Sequence, residues 1–357
     1  MRDICFWFDK PAFAFEGILL QATSMYSKGR VFSFCKSEVD ADRCGINSGS
    51  ATKYIFCHGK SVRELLSQNN IDAKNTIHIV NGFFSFALDE LCLLRSTCPF
   101  KIVCLTEPVS CMSRLPKLEY LYKLAKYNNR KRDVVKFIDA VIFLGQNGPK
   151  LFKTIRWNFK YLEISYMPQL NSSIIQRPVS VDSSGRFLYI GRNNLREKGL
   201  NYIIKWFGKN KNQKLIIIGN YGKDYKRIKR AVKKHPNIEQ VESMNMRLLF
   251  DFIISNNVKC ILTPSLVDGC NVNNYLSIAS GTPCITTFNS NNYEMIQKAN
   301  SGFVIRHTYK EFEKIMDNFT HLRNDKVHDL STNALLYSRE RNAFNEAKRM
   351  LEFISTI

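Results

Sequence analysis

The sequence predicts an α/β protein made of two successive parallel-sheet domains. Three observations carry this. Short apolar runs alternate with amphipathic helical stretches along most of the 357 residues. A serine-rich polar stretch interrupts the alternation near the middle, and the alternation then restarts. The length itself suits two domains of ~100–200 residues each.

In the first half the strand candidates are Ile4–Phe8, Arg30–Cys35, Tyr54–Cys57, Thr76–Val80, Lys101–Leu105 and Ala140–Leu144, with Tyr161–Met167 as one more. Each is a run of β-branched, aromatic or small apolar residues of strand length. Ser61–Gln68 and Phe84–Leu94 show helical periodicity between them. Gln169 to Arg186 holds five serines, Pro178 and Gly185, which is linker composition. Beyond it Phe187–Ile190, Leu215–Ile218, Lys259–Thr263 and Pro283–Thr287 are strand candidates. Tyr202–Phe207, Lys223–Lys234, Met246–Ile254 and Asn274–Ala279 are the helical ones. Ala334–Ile354 is an amphipathic stretch with no Pro or Gly and predicts one long C-terminal helix. The expected organisation is a first domain over 1–172, a linker over 173–186, a second domain over 187–335 and a helix over 336–357 that packs back on the first domain.

Hydrophobic residues make up 45% and charged residues 23%, ordinary values for a folded chain. No stretch reaches the ~18 apolar residues of a membrane span. Met1 to Lys10 carries Asp3 and Asp9 within its apolar run, unlike a signal peptide. A cytoplasmic protein, or one on the inner face of the cell membrane, is expected. Eleven cysteines without a Cys-x-x-Cys, most of them in strand-like runs, point to reduced buried thiols. The six histidines show no ligand spacing, and His78, inside a strand, is expected in the core.

The net charge of +21 is not spread evenly. Residues 1–100 hold 11 basic and 10 acidic side chains and residues 251–357 hold 11 and 11, whereas residues 101–250 hold 30 and 10. Such a concentration points to an anionic partner. Arg114 to Lys136 interleaves Lys117, Lys123, Lys126, Arg130, Lys131, Arg132 and Lys136, against only Glu119 and Asp133, with Leu115, Leu118, Tyr120, Leu121, Tyr122, Leu124 and Tyr127, a pattern suited to an anionic membrane surface. Lys205 to Lys234 holds 11 basic residues and one acid, Asp224. That run would suit nucleic acid on charge alone. It has no helix-turn-helix, zinc finger or aromatic array, and it reads as a solvated or membrane-facing surface.

The chemistry concentrates where the second domain opens. The strand Phe187–Ile190 runs into Gly191-Arg192, and Lys198-Gly199 follows six residues after the arginine. Glycine lets an anion approach the backbone. Arg192 offers a planar fork of donors, Lys198 a point charge, and the next helix its free N–H groups. The set suits a diphosphate. Further on come Leu215–Gly219, then Thr263-Pro264-Ser265-Leu266-Val267-Asp268-Gly269-Cys270, then Ser280-Gly281-Thr282-Pro283, then Glu294 and Gly302-Phe303-Val304.

In this order these motifs resemble the group 1 (family 4) glycosyltransferases of GT-B fold. The likeness runs from about Phe187 to Phe319. In the first half it extends only to the α/β layout and Asp139-Ala140-Val141-Ile142-Phe143. The resemblance implies two Rossmann-like domains facing a central cleft. It implies a retaining, metal-independent transfer of a sugar from a nucleotide-sugar, of UDP or GDP type, with no separate cofactor. The acceptor would be an oligosaccharide or lipid-linked saccharide bound by the first domain, in surface polysaccharide or glycolipid synthesis. Arg192 and Lys198 match the family's diphosphate-binding pair, and Asp268 stands for the glutamate that contacts the donor sugar. Gly191, Gly219, Ser243, Met244, Gly269, Cys270, Asn271, Asn273 and Asn274 fall where the family lines its nucleotide site. Glu107, after the strand Lys101–Leu105, stands where the family often has a histidine and is a candidate for orienting an acceptor hydroxyl. One departure is marked: the family's second glutamate falls on Leu276, which accepts no hydrogen bond. Asn273 or Asn274 would then have to take the ribose contact. Leu276 also leaves open a non-catalytic relative that binds a partner, and the charge leaves open a nucleic-acid-binding protein.

Overall fold

The structure is a computed structural model, and it describes residues 2–9, 20, 23–24, 26–36, 53–106, 117–145, 157–164, 185–244, 246–268, 271–290 and 292–357. The chain divides into two compact units, Met1–Tyr166 with Asn342–Ile357, and Met167–Arg341. The expected linker lies almost wholly outside the described residues, as do Glu107, Gly269 and Cys270.

The first unit is built on a seven-stranded sheet. Its strands are β1 (Asp3–Phe8), β2 (Val31–Cys35), β3 (Lys53–Phe56), β4 (Thr76–Asn81), β5 (Lys101–Thr106), β6 (Ala140–Leu144) and β7 (Lys160–Ile164), in the order β3-β2-β1-β4-β5-β6-β7. Every pairing is parallel. Continuous burial explains the near-unbroken apolar runs, because a parallel sheet is covered on both faces. One face carries Cys5, Trp7, Phe34, Val80, Cys104 and Phe143. Helices α1 (Val62–Gln68) and α2 (Phe86–Arg95) pack there through Leu65, Leu66, Leu88 and Leu91. Ser61 starts α1 with a capping box to Glu64, as its sequence position implies. Helix α3 (Lys117–Val134) follows β5.

The second unit has a six-stranded parallel sheet of β8 (Arg186–Ile190), β9 (Leu215–Ile218), β10 (Ile238–Val241), β11 (Val258–Thr263), β12 (Cys284–Thr287) and β13 (Gly302–Ile305), ordered β10-β9-β8-β11-β12-β13. Alternate residues go to opposite faces. Phe187, Tyr189, Leu215 and Ile217 pack against α4 (Leu200–Lys209), α5 (Tyr225–Lys234) and residues farther along the chain. Leu188, Ile216 and Ile218 pack against α6 (Met246–Ser255) and α7 (Val272–Ser280). Helices α8 (Tyr293–Lys298), α9 (Tyr309–Thr320) and α10 (Asn324–Glu340) complete the unit.

The C-terminal stretch corrects the sequence reading. It is not one helix over 336–357 but two: α10 ends at Glu340 and α11 (Ala343–Ser355) begins anew. Neither Pro nor Gly makes the break. Asn342 does, its side-chain oxygen accepting the amide of Asn345 at 2.9 Å and starting a separate helix. Helix α11 belongs to the first unit, as expected. There Ala347, Met350 and Ile354 cover the second face of its sheet, over Phe6, Ile79, Val103 and Ile142.

The cysteines behave as small hydrophobes. Cys5, Cys35, Cys57, Cys92, Cys104, Cys260 and Cys284 are buried free thiols. Burial pushes Cys57 and Cys92 up to about 11 and Cys284 to about 12. His78 sits in the core of the first sheet, accepting from the Trp7 indole at 3.2 Å through Nδ1. No helix among the described residues is long and apolar enough to cross a membrane.

Candidate active site

In a parallel α/β sheet the strand order reverses at one point, and the loops leaving the strand ends there diverge to leave a crevice. In the second unit that point lies between β8 and β11. The loops that leave it are the Gly191–Gly199 segment and the Pro264–Asp268 segment, the two that the sequence singles out.

Backbone approach shapes the first loop. Gly191 and Gly219 end β8 and β9 with φ of 138° and 137°, conformations that a side chain strains. A Cβ on Gly219 would lie 2.3 Å from the Gly191 carbonyl oxygen, so only glycine fits. Gly191 N–H donates to the Ile218 carbonyl and Gly219 N–H to the Val241 carbonyl, which locks three strand ends together. The buried Tyr189 hydroxyl donates to the Arg192 carbonyl at 2.8 Å, holding that residue's backbone while its side chain is exposed. Among the described residues the Arg192 guanidinium has no ion-pair partner.

Asn193 and Asp224 clamp the loop from beneath. The fully buried Asn193 donates its backbone N–H to Tyr221 O at 2.7 Å and its amide to Gly219 O at 3.1 Å. Its carbonyl accepts from Asp224 N at 3.0 Å, and the Asp224 carboxylate accepts from Leu195 N at 2.9 Å. Sequence reasoning passed over both residues. The signal was present: Asp224 is the one acid in a run of 11 cations, and Asn193 follows the Gly-Arg pair directly.

Gly199 caps α4 at φ 68°, and a Cβ there would meet the Pro264 carbonyl oxygen at 2.1 Å. The N-terminus of α4 is therefore pressed against the second loop. Leu266 N–H donates to the Glu197 carbonyl at 2.8 Å, a further tie between the loops. The contact brings Lys198 to Asp268: Nζ donates to Oδ2 at 2.7 Å, with 19% and 13% of the two side chains exposed. The Ser265 hydroxyl donates to the same oxygen at 3.2 Å. Oδ1 of Asp268 makes no hydrogen bond among the described residues. The Thr287 hydroxyl and the Asn289 amide brace the loop carbonyls of Ser265 and Leu266.

The asparagines divide. Asn271 is buried and caps α7, and Asn292 donates to its carbonyl. Asn274 is wholly buried. Its oxygen accepts from Thr263 at 2.9 Å and its amide donates to Thr286, Ser290 and Asn292. That leaves it nothing for a ribose, and it is a framework residue. Asn273 is half-buried and donates to the Ile190 carbonyl at 2.8 Å, with its oxygen unengaged among the described residues. It lies at the end of β8 beside the glycine loop, where a ligand contact is open to it. Leu276 is fully buried in the cluster of Leu188, Ile218 and Leu249. Met244 packs against the same cluster, and the exposed Ser243 donates to the Asn220 side chain at 3.3 Å.

Chemically the arrangement is suited to hold an anion, with a hydrogen-bond acceptor beside it. Arg192, Lys198 and the start of α4 supply positive potential. The free oxygen of Asp268 can take a hydroxyl from the same ligand. Among the described residues no group of three or more His, Cys, Asp or Glu could hold a metal ion.

Residues 173–336 match the family model described as Glycosyl transferases group 1. No curated protein sequence matches the chain significantly. Solved structures do. The crystal structure of WaaG, a glycosyltransferase involved in lipopolysaccharide biosynthesis, covers 99% of this chain and 100% of its own, with 14% identity and a TM-score of 0.64. Anabaena HepE in complex with UDP covers 100% of both chains, with 12% identity and a TM-score of 0.74. Sucrose-phosphate synthase from Thermosynechococcus elongatus covers 100% of this chain and 99% of its own, again with 12% identity and a TM-score of 0.74. At such identities the likeness is one of fold, and it spans both units. The chain thus carries the GT-B fold, and its residues 173–336 match the group 1 glycosyltransferase model.

Proposed function

We propose that the protein is a retaining glycosyltransferase that moves a sugar from a nucleotide-sugar to a saccharide acceptor, with the donor held by the second unit. One observation supports the reading: at the β8/β11 divergence Lys198 donates to Asp268 at 2.7 Å, on the same loop that carries Arg192 and leads into α4. A diphosphate answers the cations, and a sugar hydroxyl answers the unused oxygen of Asp268. HepE, similar in fold, has been crystallised with UDP and with UDP-glucose, which supports a donor of this class.

In the reaction the bond from the anomeric carbon to the diphosphate oxygen breaks and a bond to the acceptor oxygen forms. The acceptor proton leaves, and the diphosphate departs with added negative charge. Arg192 and Lys198 are placed to stabilise that charge, the task a divalent cation performs in metal-dependent transferases. Neither has to move far, because Tyr189, Asn193 and Gly199 hold their loop in place.

A lipid-linked acceptor at the inner membrane face, in surface polysaccharide or glycolipid synthesis, is the setting we infer. WaaG, another fold relative, is involved in lipopolysaccharide biosynthesis. Helix α3 adds support: Leu118, Leu121 and Tyr122 are exposed, Leu118 by 83% and Tyr122 by 69%, on a helix that continues into Lys126, Arg130 and Arg132. Lys126 and Arg130 both lie over the exposed ring of Phe84. Apolar and aromatic residues beside cations suit a lipid headgroup region.

The test is calorimetric titration with UDP, GDP and their sugar conjugates, followed by turnover assays with the conjugate that binds. Binding of one nucleotide, lost in Arg192→Ala, supports the reading; binding unaffected by that substitution sinks it. A second reading, a binding protein without turnover, is favoured by Leu276, which fills the position of an expected acid with core. Nucleotide-sugar binding without product would select it.

A further inference from the structure

The basic run from Lys205 to Lys234 has no part in the site described above. The fold makes a surface of it. Helix α5 is held on the sheet by Ile228, which is fully buried, and by the half-buried Val232. The opposite side presents Lys226, Arg227, Lys229, Arg230, Lys233 and Lys234, all exposed. Spacings of three and four residues put them on one continuous face.

Several surface cations elsewhere in this unit are compensated, Lys209 by Glu313, Lys223 by Glu197, Arg186 by Glu239 and Arg323 by Asp325, while Arg196, Lys211 and Lys214 form no ion pair among the described residues but are not gathered on one helix face. On α5 only Arg227 has an acid, Asp224 at 3.5 Å. Among the described residues the other five form no ion pair. Lys226 and Arg230, Lys229 and Lys233, and Arg230 and Lys234 are like-charge neighbours one turn apart, and such pairs destabilise a helix. A face that carries this repulsion uncompensated gains most from an external anion.

We propose that α5 is an electrostatic docking face for an anionic lipid bilayer. Charge complementarity selects the partner class, since clusters of four to eight Lys and Arg on a helix recognise acidic headgroups. The remaining features select the bilayer over nucleic acid. The apolar residues of α5 are turned to the sheet, and the one aromatic on the helix, Tyr225, is half-buried under Lys229. No stacking platform for bases is present on the helix. A planar array of charges asks only for a matching field, so α5 would lie on the headgroups without inserting. This inference stands apart from the transferase reading and from α3.

The test is co-sedimentation of the full chain with phosphatidylcholine vesicles and with vesicles containing about one-third phosphatidylglycerol. A combined Lys226→Glu, Lys229→Glu, Arg230→Glu and Lys233→Glu variant is compared with a Lys126→Glu, Arg132→Glu variant of α3. The α5 variant should lose at least about tenfold in partitioning to anionic vesicles, and raised salt should weaken wild-type binding in parallel. The same four positions changed to Gln give an intermediate loss, and unfolding temperatures check that each variant folds. Equal partitioning to both vesicle types, or a loss confined to the α3 variant, overturns the proposal. So does a short nucleic-acid duplex that strips wild-type protein from the vesicles and fails to bind the α5 variant.

Discussion

Lys198 and Asp268, 70 residues apart in the chain, meet as a half-buried ion pair, Nζ to Oδ2 at 2.7 Å. An incoming anion therefore finds Lys198 already engaged. A ligand that brings both an anion for Lys198 and a hydroxyl for Asp268 satisfies the pair together, whereas an anion alone competes with the carboxylate. Asp268→Asn should hold a nucleoside diphosphate at least as tightly as wild type and lose about 10–100-fold in turnover, since charge-assisted hydrogen bonds contribute about 1.5–3 kcal/mol. Lys198→Met should weaken the diphosphate by a similar factor. Isothermal titration beside a turnover assay separates the two, and a diphosphate that binds Asp268→Asn much more weakly than wild type refutes the competition.

Gly219 and Gly191 are in backbone contact. Gly219→Ala puts a methyl group 2.3 Å from the Gly191 carbonyl oxygen at a φ of 137°. We expect a cost of about 1–3 kcal/mol and a displaced anion loop. Thermal unfolding reads the first and nucleotide titration the second. An unchanged affinity would show that the loop does not need this register.

Restoring an acid at position 276 should not restore a ribose contact. Leu276 is buried in an apolar cluster with Leu188, Ile216 and Ile253. Leu276→Glu would place a carboxylate there without a partner, at a cost of several kcal/mol. The expected outcome is a lowered unfolding temperature with no gain in nucleotide affinity. A tighter nucleotide complex would mean that the side chain reaches the ligand.

The first unit should weaken in acid through His78. Burial pushes its imidazole down to about 3 from an ordinary value near 6.5. Below pH 6.5 the unfolded chain takes up a proton that the folded chain refuses, so stability falls as pH drops from about 6.5 towards 3 and is constant above that window. The slope approaches about 1.4 kcal/mol per pH unit from this group. His78→Gln keeps an acceptor for Trp7 and should flatten that part of the profile, as measured by denaturant unfolding across the range. An unaltered slope would assign the acid sensitivity elsewhere.

Strands were legible where burial on both faces makes them continuous apolar runs; Leu215–Ile218 appears in the structure with the same bounds. β10 was not, because Ile238–Val241 is an edge strand with the exposed Glu239 in it. The break at Asn342 was hidden for another reason: a side-chain cap, not Pro or Gly, makes it. In the site, Gly191, Arg192 and Lys198 stood out because anion loops need those residue types at short spacing. Asn274 looked like a ligand contact because a polar residue in a motif carries no sign of which way the helix turns it. The clamp of Asn193 on Gly219, and the pairing of Lys198 with Asp268, join segments that only the sheet order brings together.

The return of α11 to the first unit sets an order on synthesis. Ala347, Met350 and Ile354 cover one face of the first sheet, yet the ribosome makes them after all of Met167–Arg341. While the second unit is being translated, Phe6, Ile79 and Ile142 lack that cover. The second unit can complete its own core first, and the earlier part of the chain must wait, exposed to chaperones and to aggregation, for residues encoded after that unit.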